Sequence, residues 1–154
     1  MHGLHLIADL TGCPVDHPAV RALMCEVGAL RALCVSAVGA AGLRAVGECF
    51  HAFDPAERAD RPGPVGVTGM VLLAESHVAV HTWPELGAVT LDVYVCNYTQ
   101  DNSAKARQVV DDLIALFAPA DFVRHEVPRD RQHLYEALND DYGFYIRSSK
   151  RLEG

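Results

Sequence analysis

The stretch VTGMVLLAESHVAVHTWPELGAVTLDVYVC, residues 67–96, decides the fold. It holds runs of valine, leucine and other strand-forming residues that are separated by short turn-forming segments. The runs are Val67–Ala74, His77–Thr82 and Val89–Val95. Successive strands joined by such short connections pair antiparallel. The stretch therefore predicts an antiparallel meander.

The sequence on both sides of the meander predicts further strands and two helices. Apolar residues recur every three or four positions in two segments, which predicts amphipathic helices over Asp16–Cys34 and Asn102–Phe117. Further apolar runs predict strands at His5–Leu10, Leu43–Phe53 and Asp121–Val127, with Pro128 ending the last one. Consecutive strands without crossover helices favour an α+β fold, with a mostly antiparallel sheet and both helices on one face.

An uncovered sheet face follows from this arrangement. A large apolar face is unstable in water, so we expect a second copy to cover it and form an αββα sandwich in a homodimer. Residues 54–66 contain three prolines and five charged residues, which predicts a solvated loop and not a domain linker. We therefore expect one domain over residues 1–154, while the tail at 129–154 favours no particular structure.

Charge and cysteine content exclude several classes of partner. The 13 Lys and Arg residues against 20 Asp and Glu residues give a net charge of −7, which disfavours nucleic acid and suits a cationic small molecule. The 5 cysteines form no CxxC pair, which predicts reduced thiols and a cytoplasmic protein. No apolar run approaches the roughly 18 residues of a membrane span, and no secretion signal is evident. We expect no membrane partner.

Nucleophiles, acids and bases are concentrated between residues 68 and 96, at Thr68, Glu75, Ser76, His77, His81, Glu85 and Cys96. His77, His81 and Glu85 recur at four-residue intervals, a spacing that suits zinc on a helix. The β-branched neighbours and Pro84 favour an extended chain, in which the two histidines stand roughly 13 Å apart, so we expect no metal there.

Another set of these residues supplies the groups of an acyl-transfer site, although the Gly-x-Ser-x-Gly motif of such sites is missing: Ser76, His81, Cys96 and Glu85.

The run GVTGMVLLAESHVAVHTWPE, residues 66–85, resembles the signature of the small prokaryotic S-adenosylmethionine decarboxylases, whose proenzymes cleave themselves at a Glu-Ser bond. The resemblance extends to LDVYVC at 91–96, HLIADLTGC at 5–13 and FHAF at 50–53. It implies an autoprocessing, pyruvoyl-dependent decarboxylase. Such an enzyme converts S-adenosylmethionine to its decarboxylated form, the aminopropyl donor for spermidine biosynthesis.

The resemblance also implies roles for individual residues. Cleavage would fall between Glu75 and Ser76 and give chains 1–75 and 76–154, with Ser76 attacking the Glu75 carbonyl. His81 would accept the Cα proton, and Thr68 stands where relatives carry a serine that assists processing. The pyruvoyl group left from Ser76 would form a Schiff base with the substrate amine.

Three more residues match family positions for substrate chemistry. Cys96 would return a proton to the substrate carbon, Phe53 would stack on adenine, and Glu85 would hold the ribose hydroxyls. The loop at 54–66 is longer than the compact family pattern, and the tail at 129–154 is an extension. Two alternatives remain open from the sequence: the same scaffold acting on arginine or ornithine, and an unprocessed, non-catalytic relative.

Overall fold

Antiparallel pairing joins six strands into one sheet in the computed structural model, which describes residues 2–58, 63–98 and 100–130. The strands are β1 (His2–Thr11), β2 (Ala45–Ala52), β3 (Val67–Leu73), β4 (Ser76–Trp83), β5 (Ala88–Cys96) and β6 (Asp121–Asp130). Their spatial order is β2-β3-β4-β5-β1-β6, so the predicted meander β3-β4-β5 and the α+β class are confirmed. Residues 59–62 of the predicted loop, and the tail beyond Asp130, lie outside the described residues.

The described residues contain three α-helices, so the prediction of two helices is wrong in number. They are α1 (Pro18–Cys25), α2 (Val27–Ala40) and α3 (Ser103–Phe117). No helix in this part of the chain is by itself long and apolar enough to span a membrane, and the α1–α2 pair reaches that length only across a bend of 93°. The bend lies at Glu26, whose backbone is extended at φ −115°, ψ 117°.

A buried threonine explains why the first predicted helix divides. Thr82 of β4 is fully buried, and its hydroxyl donates to the Met24 carbonyl in the last turn of α1 at 2.7 Å. The same hydroxyl accepts from the Val67 N–H at 2.8 Å. A carbonyl released at a helix end needs a new partner, and Thr82 supplies it from the sheet. Helical periodicity in the sequence cannot reveal this tertiary contact.

The core lies between the helices and one face of the sheet. Alternate residues of the central strands point to that face and are buried, among them Leu6, Leu10, Val78, Val80, Leu91 and Val93. They pack in one cluster with residues of all three helices, including Met24, Leu30, Leu113 and Phe117. Burial of each such large side chain contributes about 1.5–3 kcal/mol.

Strand β6 continues past Pro128, which the sequence placed as its end. Pro128 lies opposite Leu4 in the β1–β6 ladder, and β6 is the last strand in the sheet order. An edge strand tolerates proline because one side of it needs no ladder hydrogen bonds. The prediction that Pro128 ends this strand is therefore wrong.

The opposite sheet face carries no helix in the described part of the chain, but it is not uniformly apolar. Exposed apolar side chains occur on it, with Met70 at 39%, Leu72 at 48% and Val123 at 53% of their surface accessible. The strand registers place polar residues in the same rows: His5, His77, His81, Asp92 and Thr90. We call this surface the uncovered face.

The hydroxyl of Thr82 gives a stability prediction. Thr82→Val keeps the shape of the side chain but leaves the Met24 carbonyl and the Val67 N–H without this partner, so we expect a loss of about 1–3 kcal/mol in unfolding free energy. Urea unfolding at fixed protein concentration measures the loss. Thr90→Val, on the uncovered face of β5, is the matched control and should change stability by less than about 0.5 kcal/mol. Equal stability of the two variants would refute the role given to Thr82.

Candidate active site

Ser76 and Cys96 lie side by side at one end of the sheet. Ser76 is the first residue of β4, directly after the Ala74-Glu75 turn that follows β3, and Cys96 is the last residue of β5. The Cys96 N–H donates to Ser76 Oγ at 3.0 Å across 20 positions of sequence. Glu75 is exposed, whereas Cys96 is buried. The structure thus joins the predicted cleavage residue to the predicted proton donor.

Tyr94 belongs to the same end of the sheet, although the sequence reasoning gave it no role. A Cβ atom placed on Gly3 would lie 3.1 Å from the Tyr94 hydroxyl, and Gly3 is the strand partner of Cys96, so the ring reaches toward Cys96. Burial raises the pKa of the Tyr94 phenol, interaction with the Cys96 thiol raises it further, and Arg129 opposes both. In the sequence LDVYVC, Tyr94 and Cys96 are two residues apart, so their side chains leave the same face of a strand, and this spacing could have indicated the pair.

Thr68 and His81 form a second pair on the uncovered face. They are opposite residues of the β3–β4 ladder, with 2.7 Å between Thr68 Oγ1 and His81 Nδ1. When Nδ1–H donates to the hydroxyl, Nε2 keeps its lone pair and can accept a proton. The Trp83 ring lies beside the imidazole, with 6.1 Å between centroids. This arrangement suits a histidine that acts as a base.

Glu85 and Phe53 lie near the end of the sheet that holds His81. Glu85 belongs to a 3₁₀ turn, Pro84–Leu86, directly after β4, and both its carboxylate oxygens are inaccessible to solvent. Phe53 follows β2, is half-buried, and donates its N–H to the Gly66 carbonyl at 3.0 Å. Both predicted substrate-binding residues are therefore held at the end of a strand.

One chain does not bring all the predicted residues together. Ser76 and His81 lie on the same strand, β4, whose rise places residues this far apart in sequence roughly 17 Å from each other. They also differ by an odd number of positions, so their side chains leave opposite faces of the strand. The described chain contains two separate half-sites: Ser76 with Cys96 at one end of the sheet, and Thr68 with His81 toward the other end, where Phe53 and Glu85 follow their strands.

A third group of polar residues was not found from the sequence. His5 on β1 and His77 on β4 both direct Nε2 to Oδ1 of Asp92 on β5, at 2.7 Å and 3.2 Å. The three residues are distant in sequence, so only the sheet register reveals the cluster. We call it the His5–His77–Asp92 cluster.

The S-adenosylmethionine decarboxylase family matches residues 4–130. A proenzyme of that name from Aquifex aeolicus is 37% identical over 117 residues, which cover 76% of this chain and 73% of the relative. Another from Archaeoglobus fulgidus is 34% identical over 125 residues, covering 81% of this chain and 94% of the relative.

A solved structure agrees with these matches. The crystal structure of the adenosylmethionine decarboxylase from Aquifex aeolicus superposes with a TM-score of 0.65 and 33% sequence identity. The superposition covers 81% of this chain and 88% of that chain. Since the family match spans most of the sequence and the fold agrees with it, the chain belongs to the S-adenosylmethionine decarboxylase family.

Proposed function

We propose that this protein is a proenzyme that cleaves itself between Glu75 and Ser76 and then decarboxylates S-adenosylmethionine. Family membership supports the substrate and the reaction. The observation that carries the assignment of residues is the 3.0 Å hydrogen bond from the Cys96 N–H to Ser76 Oγ. This hydrogen bond holds the Ser76 hydroxyl beside the exposed turn at Glu75, and it joins Ser76 to Cys96 at the end of the adjacent strand.

Self-cleavage uses the Ser76 hydroxyl as its nucleophile. Oγ attacks the Glu75 carbonyl carbon, the peptide C–N bond breaks, and an ester forms while the Ser76 nitrogen becomes an amine. A base removes the Cα proton of Ser76, and elimination releases the Glu75 carboxylate and leaves dehydroalanine. Tautomerisation and hydrolysis, with loss of ammonia, then give a pyruvoyl group at the start of chain 76–154. We assign this base to His81, whose Nδ1 is hydrogen-bonded to Thr68 Oγ1 at 2.7 Å.

The residues around Ser76 suit a pyruvoyl group in the decarboxylation. The pyruvoyl carbonyl supplies an electron sink for the pair released with carbon dioxide. The Cys96 thiol donates a proton to the substrate carbon that has lost its carboxylate. Phe53 offers an aromatic face to the adenine, and Glu85 a buried carboxylate to the ribose hydroxyls. These assignments extend the family reaction to this chain.

A homodimer completes the site in this proposal. Because Ser76 and His81 lie roughly 17 Å apart on one strand, His81 reaches the Ser76 of a second copy and not its own. The uncovered face carries the Thr68–His81 pair and exposed Met70 and Leu72. Although the Ser76 side chain leaves the other face, the Glu75–Ser76 bond lies in the exposed turn at the end of the sheet, where a second copy can approach it. Two sheets packed through this face form an αββα sandwich.

A reducing compartment, the cytoplasm, is the proposed location. All five cysteines are described and free: Cys13, Cys25, Cys34, Cys49 and Cys96. Burial raises the pKa of the Cys34 thiol to about 12, so this residue behaves as an apolar core residue. Cys96 acts as a proton donor only while its thiol is reduced.

Cleavage is tested by intact mass. The wild-type protein should give chains 1–75 and 76–154, the second with a blocked N-terminus, and Ser76→Ala should stay whole. The cleaved protein should release carbon dioxide from S-adenosylmethionine, with arginine and ornithine measured in parallel. Ser36→Ala, at an exposed position of α2, is the matched control and should be cleaved normally. An intact wild-type chain with full activity would refute the cleavage proposal, and release only from arginine or ornithine would refute the substrate.

The role of Cys96 separates processing from turnover. Cys96→Ser keeps the backbone N–H that binds Ser76 but replaces the thiol with a much weaker acid, so cleavage should continue while kcat falls about 10²–10⁴-fold. Cys34→Ala, in the helix layer on α2, is the control and should leave the kcat of the folded protein unchanged. Steady-state carbon dioxide release measures both variants. Equal kcat for Cys96→Ser and wild type would exclude the thiol as the proton donor.

Complementation between two inactive variants tests the shared site. His81→Ala keeps Ser76, and Ser76→Ala keeps His81, so each chain alone should remain uncut. When the two are co-expressed, mixed dimers should cleave some His81→Ala chains, and mass spectrometry should find fragment 76–154 with alanine at position 81. If His81 acts only within its own chain, that fragment will be absent although mixed dimers form.

A further inference from the structure

The His5–His77–Asp92 cluster lies on three adjacent strands of the uncovered face. His5 and His77 are both paired with Tyr94 of β5, one from each side, and Asp92 is two residues before Tyr94. Both imidazole rings stand 5.8 Å from the Tyr94 ring, which separates the cluster from Cys96. The predicted half-sites do not use any of the three residues.

The ligand atoms of the cluster converge on one point. One imidazole nitrogen from each of His5 and His77 and a carboxylate oxygen of Asp92 all lie within 4.8 Å of one another. Zinc binds imidazole nitrogen and carboxylate oxygen at about 2.0–2.2 Å, which sets neighbouring ligand atoms about 3.3 Å apart in a tetrahedral site. The observed Nε2–Oδ1 distances of 2.7 Å and 3.2 Å need only a small expansion to admit an ion.

Charge and access also suit a cation. Among the described residues, the Asp92 carboxylate contacts the rings of these two histidines and pairs with no lysine or arginine. The guanidinium of Arg129 faces the Tyr94 ring, 4.7 Å from its centroid. In a single chain the side chains are partly accessible, at 22% for His5, 33% for His77 and 37% for Asp92, so water or a group from a second copy on the uncovered face can take the remaining positions on the ion.

We propose that His5, His77 and Asp92 bind one divalent transition-metal ion, for which Zn²⁺ is the best match. Two imidazole nitrogens and one carboxylate favour zinc over magnesium or calcium, which prefer oxygen ligands alone. Binding requires both rings to carry their proton on Nδ1, so that the Nε2 lone pairs face the ion. The bound ion links β1, β4 and β5 on the side of the Tyr94 ring that faces away from Cys96. This site is distinct from the proposed decarboxylation and does not depend on it.

Zinc binding is measured on the full-length, untagged Ser76→Ala chain, which keeps His77 within an intact β4. The protein is stripped with a chelator, dialysed to equilibrium against Zn²⁺ and analysed for metal. We expect one Zn²⁺ per chain, and at least about tenfold weaker binding in His5→Ala and in Asp92→Asn, which preserves the side-chain size. His125→Ala is the matched control, because His125 lies on the same face of edge strand β6, opposite Ile7, and outside the cluster.

Cobalt distinguishes this site from the cysteines. Co²⁺ bound by nitrogen and oxygen ligands gives visible d–d bands without a thiolate charge-transfer band in the near ultraviolet, and these bands should disappear in His77→Ala. Circular dichroism establishes that each variant is folded. The proposal is overturned by no metal uptake, by a thiolate band, or by equal binding in the wild-type cluster and in folded His5→Ala and Asp92→Asn.

Discussion

The geometry of one extended strand constrains the whole site. Strand β4 begins at Ser76 and continues to Trp83, so Ser76 and His81 are part of the same straight segment. Side chains alternate along a strand, and each residue advances it by about 3.4 Å. A nucleophile and a base held this way are far apart and on opposite faces. If both act in one reaction, the base comes from a second copy, and the protein is active only as an assembly.

The two faces of the sheet have different roles. One face buries Leu6, Val78, Leu91 and Val93 against the helices, and the buried Thr82 hydroxyl ties β4 to the end of α1. That contact fixes the position of β4, and therefore of both half-sites, relative to the core. The uncovered face carries the Thr68–His81 pair and the His5–His77–Asp92 cluster. Its mixture of polar and apolar side chains fits a surface that is both an interface and a site of chemistry.

The sequence predicts those features that depend on local pattern. Alternating runs place β3, β4 and β5 correctly, and the family resemblance points to Ser76, His81 and Cys96. The bend at Glu26 escapes prediction because its cause is a hydrogen bond from Thr82, which is distant in sequence. The predicted end of β6 at Pro128 is wrong because only the sheet order shows that Pro128 lies on an edge strand. The separation of Ser76 from His81 is foreseeable from strand rise alone, whereas the His5–His77–Asp92 cluster requires the strand register.

The concentration dependence of self-cleavage tests the central claim most directly. A trace of labelled wild-type chain, made by cell-free synthesis, is followed with and without an excess of unlabelled Ser76→Ala chain, and sedimentation establishes whether the labelled chain is monomeric or paired. The account predicts that the isolated monomer stays whole and that the added chain, which supplies His81, promotes its cleavage. Cleavage of the monomer at the same rate without the added chain would contradict a site shared between two copies.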